Sequence, residues 1–207
     1  MQKKAIIFDL DNTIYSVRSI GEILFADLFE LIRQDGNHEQ EFEEIRKDIM
    51  RRPFQWVAQR FGFSEALTGK GVSLLKEITY DGKIEPFADY VFTRNIKADK
   101  FLVTTGFLKL QQSKIAGMKI MNDFDEIHII DPLSSSQTKK DVFAGIIQRH
   151  GYKTEEVLVI GDDLHSEIKA AQDLGIDVVL YDKLNVHTNV TSINKISDFK
   201  QLMPLLK

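Results

Sequence analysis

Short runs of apolar, largely β-branched residues recur along the chain at positions 5–8, 101–103, 127–130, 157–160 and 178–180. They are too short for helices and do not alternate with polar residues, the pattern of strands covered on both faces. Helical patterns separate the later runs. One spans residues 107–116. A second opens with Thr138-Lys139-Lys140-Asp141, a capping box, and carries Phe143, Ile146 and Ile147 on one face. A third spans residues 166–174 and stops at Gly175, a helix-terminating glycine. Buried strand alternating with helix predicts an α/β fold, a doubly wound Rossmann-like parallel sheet with helices on both faces.

Residues 16–92 break this rhythm. Their apolar residues fall at helical spacing only: Ile20, Ile23, Leu24, Leu28, Leu31 and Ile32, then Phe42, Ile45 and Ile49, then residues 54–61, then Leu74, Leu75 and Ile78. The expected organisation is therefore a core of residues 1–15 and 93–207 with an all-helical insertion, residues 16–92, after the first strand. Trp56, with Phe54 and Phe61, is expected to pack inside the insertion. Arg51 and Arg52, just before Pro53, could supply a substrate-binding cation from the insertion, but a solvated face is the expectation. Tyr15 falls at the hinge, Arg18 is placed to face the cleft, and a last helix is expected near residues 198–202.

Composition narrows the function by exclusion. With no cysteine, thiolate nucleophiles, disulfides and cysteine-based metal sites are ruled out. A net charge of -4 with dispersed basic residues argues against a nucleic-acid partner. The basic start, Met1 to Lys4, precedes an apolar run of four residues, too short for a signal peptide or a membrane span. A cytoplasmic protein is expected, with no membrane partner.

Four polar clusters sit at the ends of these elements: Asp9-x-Asp11-x-Thr13, Thr104-Thr105-Gly106, Lys139-Lys140, and Gly161-Asp162-Asp163 followed by Glu167. In an open parallel sheet the carboxyl ends of the strands share one edge, so these residues are expected to meet there. Several carboxylates in one place need a cation, and all-oxygen ligands favour Mg²⁺. A carboxylate can attack phosphorus, and another can move a proton to or from the leaving oxygen. A threonine hydroxyl and a lysine ammonium can hold the remaining phosphoryl oxygens.

In these motifs the chain resembles the haloacid dehalogenase (HAD)-like hydrolase superfamily. The resemblance rests on Phe8-Asp9-Leu10-Asp11-Asn12-Thr13, Leu102-Val103-Thr104-Thr105-Gly106 and Val159-Ile160-Gly161-Asp162-Asp163. The lysine motif is looser: the usual Lys-Pro pair is replaced by Lys139-Lys140, and Lys139 is preferred for its spacing to Phe143. Glu167 stands where an aspartate is common. The resemblance implies Asp9 as nucleophile and metal ligand, and Asp11 as general acid/base with its backbone carbonyl on Mg²⁺. It also implies Thr104, or Thr105, with Lys139 as phosphate ligands, and Asp162 as a metal ligand supported by Asp163 or Glu167. Dehalogenase members lack the second aspartate, so Asp11 selects phosphorus chemistry. The expected substrate is a small soluble phosphomonoester, a nucleotide or sugar phosphate. A sugar phosphomutase would share these motifs. A receiver-like signalling module would share the acceptor aspartate but needs neither Asp11 nor a large insertion.

Overall fold

A computed structural model describes residues 2–207; Met1 lies outside them. Six parallel strands form one sheet: β1 (Ala5–Phe8), β2 (Asp99–Thr105), β3 (Glu126–Ile130), β4 (Val157–Gly161), β5 (Asp177–Tyr181) and β6 (Asn194–Ile196). Their spatial order is β3-β2-β1-β4-β5-β6. β1 is central, with Ile7 opposite Phe101 on one side and Val159 on the other.

The two-residue period of the strands divides the core into two layers. Ile6, Phe8, Leu102, Leu158 and Ile160 face one layer, with Leu110, Ile115 and Met118 of α6 (Leu108–Met118). Ala5, Ile7, Phe101, Val103, Val157 and Val159 face the other. There they meet Phe143 and Ile146 of α7 (Lys139–His150) and Ala171 of α8 (Lys169–Gln172). Helices therefore cover both faces, as the alternation of runs and helical patterns predicts.

All five expected strands form; β1 coincides with its apolar run and the other four are one or more residues longer than theirs. β6 was not expected. It is a three-residue edge strand in which only Ile196 is buried, so no apolar run marks it. The expected capping box of α7 is present in both directions: the Asp141 N–H donates to Thr138 Oγ1 at 3.3 Å, and the Thr138 N–H to Asp141 Oδ2 at 2.8 Å.

The expected helix over residues 166–174 takes a different form. Leu164–Ile168 is a π-helical turn with Ser166 at φ -111°, ψ -106°, and regular α-helix is confined to α8. The wide turn brings the Glu167 side chain inward beneath β4. Gly175, at φ +71°, ends the segment as expected. The last helix, Phe199–Leu206, is a 3₁₀ helix rather than an α-helix; Pro204 inside it lacks the N–H that an α-helical ladder needs.

Residues 18–77 form five helices and no strand: α1 (Arg18–Leu24), α2 (Ala26–Asp35), α3 (Phe42–Ile49), α4 (Phe54–Arg60) and α5 (Glu65–Glu77). Their buried faces (Ile20, Leu28, Ile32, Ile45, Val57 and Leu75 among them) join the layer that contains Phe8, Leu10 and Ile14. A 3₁₀ stretch, Ala88–Asn95, then returns to the sheet. Its buried Asp89 accepts hydrogen bonds from the Tyr181 hydroxyl (2.8 Å) and the Phe199 N–H (2.9 Å) and pairs with Lys183. Among the described residues, no helix is long and apolar enough to cross a membrane.

Candidate active site

β1 has β2 on one side and β4 on the other, so the strand order reverses direction between β1 and β4. The crossovers leave toward opposite faces there and a cleft opens above the carboxyl ends of the strands. The Asp9 N–H donates to the Ile160 carbonyl at 3.0 Å, carrying the ladder one residue past β1. The Asp9 carboxylate therefore projects from the floor of that cleft, beside the end of β4.

Carboxylate oxygens of Asp9, Asp162 and Glu167 lie within 4.8 Å of one another, and all three residues are buried. Lys139 stands between two of them, its Nζ 2.6 Å from Asp9 Oδ1 and 2.7 Å from Glu167 Oε2. Lys140 is exposed, so of the pair it is Lys139 that enters the site. Burial, with help from the Glu167 and Asp11 charges and against the pull of Lys139, pushes the Asp9 carboxyl up to about 7. Burial also lifts Asp162 well above the usual carboxylate range, reinforced by Glu167 and Asp9 and opposed by Arg51. Lys139 is also shifted up: burial disfavours its charge, but Asp9 and Glu167 outweigh this and hold it protonated. Negative charge is in excess here. Three crowded carboxylate donors fit a hard divalent cation such as Mg²⁺.

Glu167 reaches the cluster because residue 161 has no side chain. A Cβ on Gly161 would fall 2.2 Å from Glu167 Cγ. The Glu167 carboxylate also accepts the Asp163 N–H at 2.7 Å. Asp163 itself turns away from the cluster toward Arg52 and the His165 N–H. Of the two supporting candidates, Glu167 is the one that joins Asp9 and Asp162. His187 adds an outer contact, with Nε2 2.8 Å from the Asp162 carbonyl oxygen.

Asp11 does not share in this cluster. Between β1 and α1 the chain turns sharply at Asn12, which sits at φ +60°. Asparagine tolerates that left-handed conformation better than most residues. Its Oδ1 accepts the Val17 N–H at 3.1 Å. Beyond the turn, the Tyr15 hydroxyl donates to Asp11 Oδ1 at 2.5 Å, so the expected hinge residue touches the site directly. On the other side Lys114 Nζ lies 2.8 and 3.1 Å from the two Asp11 oxygens, and Gln111 Nε2 lies 3.0 Å from Oδ2. Burial alone would raise the Asp11 carboxyl; Lys114's charge and these hydrogen bonds outweigh it and leave it below its ordinary value.

Thr104 is buried at the end of β2, where its Oγ1 accepts from Gln111 Nε2 at 2.6 Å, leaving its own proton free for another acceptor. Thr105 lines the same cavity, less deeply buried. Sequence reasoning missed Gln111 and Lys114. A signal existed: on α6 they share the buried face with Leu110, Ile115 and Met118.

The opposite wall comes from the helical segment. Two expectations are corrected there. Arg51 and Arg52 are not on a solvated face: Arg51 reaches Asp162 Oδ2 at 3.1 Å and Arg52 reaches Asp163 Oδ2 at 2.5 Å. Pro53 ends the α3–α4 loop directly over the sheet edge, so the two side chains point at acids rather than water. Trp56 is not packed in the helical core: it is 42% exposed, lines the cleft and lies under the Arg52 guanidinium, 5.6 Å from the ring centroid. Arg18 is exposed and not part of the cavity wall. The cleft has a volume of about 410 Å³, within the range of small-molecule sites.

A buried acid–lysine cluster at the reversal point of a doubly wound sheet marks an α/β enzyme. More narrowly, the family description "haloacid dehalogenase-like hydrolase" matches residues 3–175, and the chain belongs to that family of hydrolases. It is similar to the glyceraldehyde 3-phosphate phosphatase of Methanopyrus kandleri, with 24% identity over 85% of this chain and 82% of that protein. It is also similar to the pyrimidine 5'-nucleotidase PynA of Streptococcus pneumoniae, with 25% identity over 73% of this chain and 60% of that protein. Among solved structures, the magnesium-bound HAD-hydrolase YfnB of Bacillus subtilis, described as revealing interdomain movement, matches with a TM-score of 0.66. It has 20% sequence identity, and each chain is covered in full.

Proposed function

We propose that the chain is a Mg²⁺-dependent phosphatase that hydrolyses a small phosphomonoester through a phosphoryl group carried on Asp9. The observation that carries this reading is the separation of its two motif aspartates. Asp9 sits in the carboxylate cluster with Lys139, while Asp11, two residues on, is held apart by its own set of donors. This separation supports one carboxylate for attack and metal binding and the other for proton transfer. The similarity to a glyceraldehyde 3-phosphate phosphatase and to a pyrimidine 5'-nucleotidase supports a phosphate ester as substrate. The cavity size supports a small one.

Mg²⁺ would be held by Asp9, Asp162 and the Asp11 carbonyl, with Glu167 in support, and when bound it supplies positive charge against the phosphoryl oxygens. An Asp9 oxygen attacks phosphorus as the bond to the leaving oxygen breaks. Lys139 and the free Thr104 hydroxyl hold the phosphoryl oxygens as charge spreads over them. Asp11 gives its proton to the leaving oxygen. It then takes one from the water that attacks phosphorus and releases Asp9. Because the resting network keeps Asp11 ionised, the proton it gives is first taken from the phosphoryl group of the substrate monoanion, and the proton drawn from water leaves with the phosphate product. Residues 16–92 act as a cap over the core of residues 1–15 and 93–207. The cap shields the aspartyl phosphate from stray water, and Arg51, Arg52 and Trp56 present its contact surface to the substrate.

The test is turnover of p-nitrophenyl phosphate and a panel of small phosphate esters with Mg²⁺, comparing the parent with Asp9→Asn and Asp11→Asn. Both substitutions should abolish multiple turnover, and chelation should do the same reversibly. A folded parent inactive on the whole panel would sink the proposal.

A further inference from the structure

The Asp11 carboxylate is held apart from the neighbouring carboxylate cluster by hydrogen bonds from Tyr15, Gln111 and Lys114. Two of its three side-chain partners lie on α6, three residues apart and so on one helix face. Lys114 is 3% exposed, and among the described residues its side-chain hydrogen bonds go only to the two Asp11 oxygens. Burying an ammonium is expensive, and an apolar residue would complete the α6 face more cheaply. Fold stability therefore does not account for a lysine at this position.

Gln111, also buried, has a distinct geometry. Its Nε2 donates to Asp11 Oδ2 at 3.0 Å and to Thr104 Oγ1 at 2.6 Å. The carboxylate fixes which way the amide lies, since the flipped form would set two oxygen acceptors against each other. One amide group thus sets the separation between the proton-transferring carboxylate and a threonine at the phosphoryl site. Gly106 leaves room for it: a Cβ there would lie 3.0 Å from Gln111 Cδ.

We propose that Lys114 and Gln111 are positioning residues for the acid/base, holding the Asp11 carboxylate on the leaving-group side of the cleft, clear of the Asp9–Asp162–Glu167 cluster. This inference rests on the phosphatase reading. It makes a claim about leaving groups that a general structural role does not. An ester that departs as a stable anion needs little help from Asp11, whereas an alkyl ester must receive a proton.

The experiment uses p-nitrophenyl phosphate and the alkyl phosphate that the parent hydrolyses fastest, comparing kcat/KM in Lys114→Met and Gln111→Leu, and single-turnover release of the leaving alcohol in Asp11→Asn and the Asp11→Asn/Lys114→Met double variant. Lys114→Met should lose ~100-fold on the alkyl ester and under ~10-fold on p-nitrophenyl phosphate, in line with the usual contribution of a general acid. The double variant should be no worse than Asp11→Asn alone, because the two residues act as a unit. Gln111→Leu should show the same leaving-group bias and supplies the reading if Lys114→Met does not fold. Equal losses on both esters, or additive losses in the double variant, overturn the inference while leaving the phosphatase intact. A parent inactive on both esters overturns the phosphatase reading and this inference with it.

Discussion

Replacing Asp9 with asparagine removes one charge from a site where three carboxylates crowd within 4.8 Å. The Asp9 carboxyl, ordinarily near 3.8, is raised to about 7 by burial and by its acidic neighbours against the pull of Lys139. Between these values the folded chain binds a proton that the unfolded chain releases. Stability therefore falls as pH rises through the window, and the full penalty is present above about 7. At 1.36 kcal/mol per pKa unit the penalty is roughly 4 kcal/mol. Relaxation and water entry reduce what is recovered, so Asp9→Asn should stabilise the metal-free protein by ~1–3 kcal/mol near pH 8. Below about pH 4 the parent carboxyl is neutral in both states and the gain should vanish. Urea unfolding of parent and variant in chelator, at low and high pH, measures this directly. Added Mg²⁺ at the higher pH should then stabilise the parent more than the variant. An Asp9→Asn protein no more stable than the parent near pH 8, or a gain undiminished near pH 4, would refute the electrostatic account of the cluster.

Other features give further expectations. Substituting Arg51 and Arg52 together by glutamine should raise hydrogen exchange across the α3–α4 loop and α4. Strong salt should do the same in the parent, since both ion pairs are only partly buried. Thr138→Ala should cost about 1 kcal/mol in chemical unfolding through loss of the α7 cap. It should also weaken phosphate-ester turnover, because Lys139 is the first residue of that helix. Asp89→Ala should destabilise by ~3 kcal/mol by stranding Lys183 and the Tyr181 and Phe199 donors. The Asp89 carboxyl is buried, but Lys183 and the hydrogen bonds hold it below its ordinary value. The difference between Asp89→Ala and parent should therefore shrink as acid protonates Asp89.

Much of this architecture could be read from residue order because stretches of strand covered on both faces must be apolar, as the buried centres of β1, β2, β4 and β5 are. β6 could not be read, since an edge strand with one buried side chain leaves no such run. Asp9 and Asp162 were legible because they directly follow strands, and Lys139 because a capping box fixed where its helix begins. What escaped notice depends on how separate elements face one another. Arg51 and Arg52 look like solvent-facing charges until the helical segment lies over the sheet edge. Gln111 and Lys114 lie on the apolar face of α6, but nothing local reveals the carboxylate beyond that face. Glu167 was read as a longer substitute for aspartate, but the π turn that delivers it has no local sequence signature.

The pairing of Gly161 with Glu167 has an evolutionary consequence. The glutamate occupies the volume that a side chain at 161 would need, so neither position can drift independently of the other. A descendant that acquires alanine at 161 must already carry a shorter acid at 167, and one that shortens the acid first opens a gap that alanine can fill. Across relatives, the two positions should therefore change together, with the aspartate step preceding the alanine step.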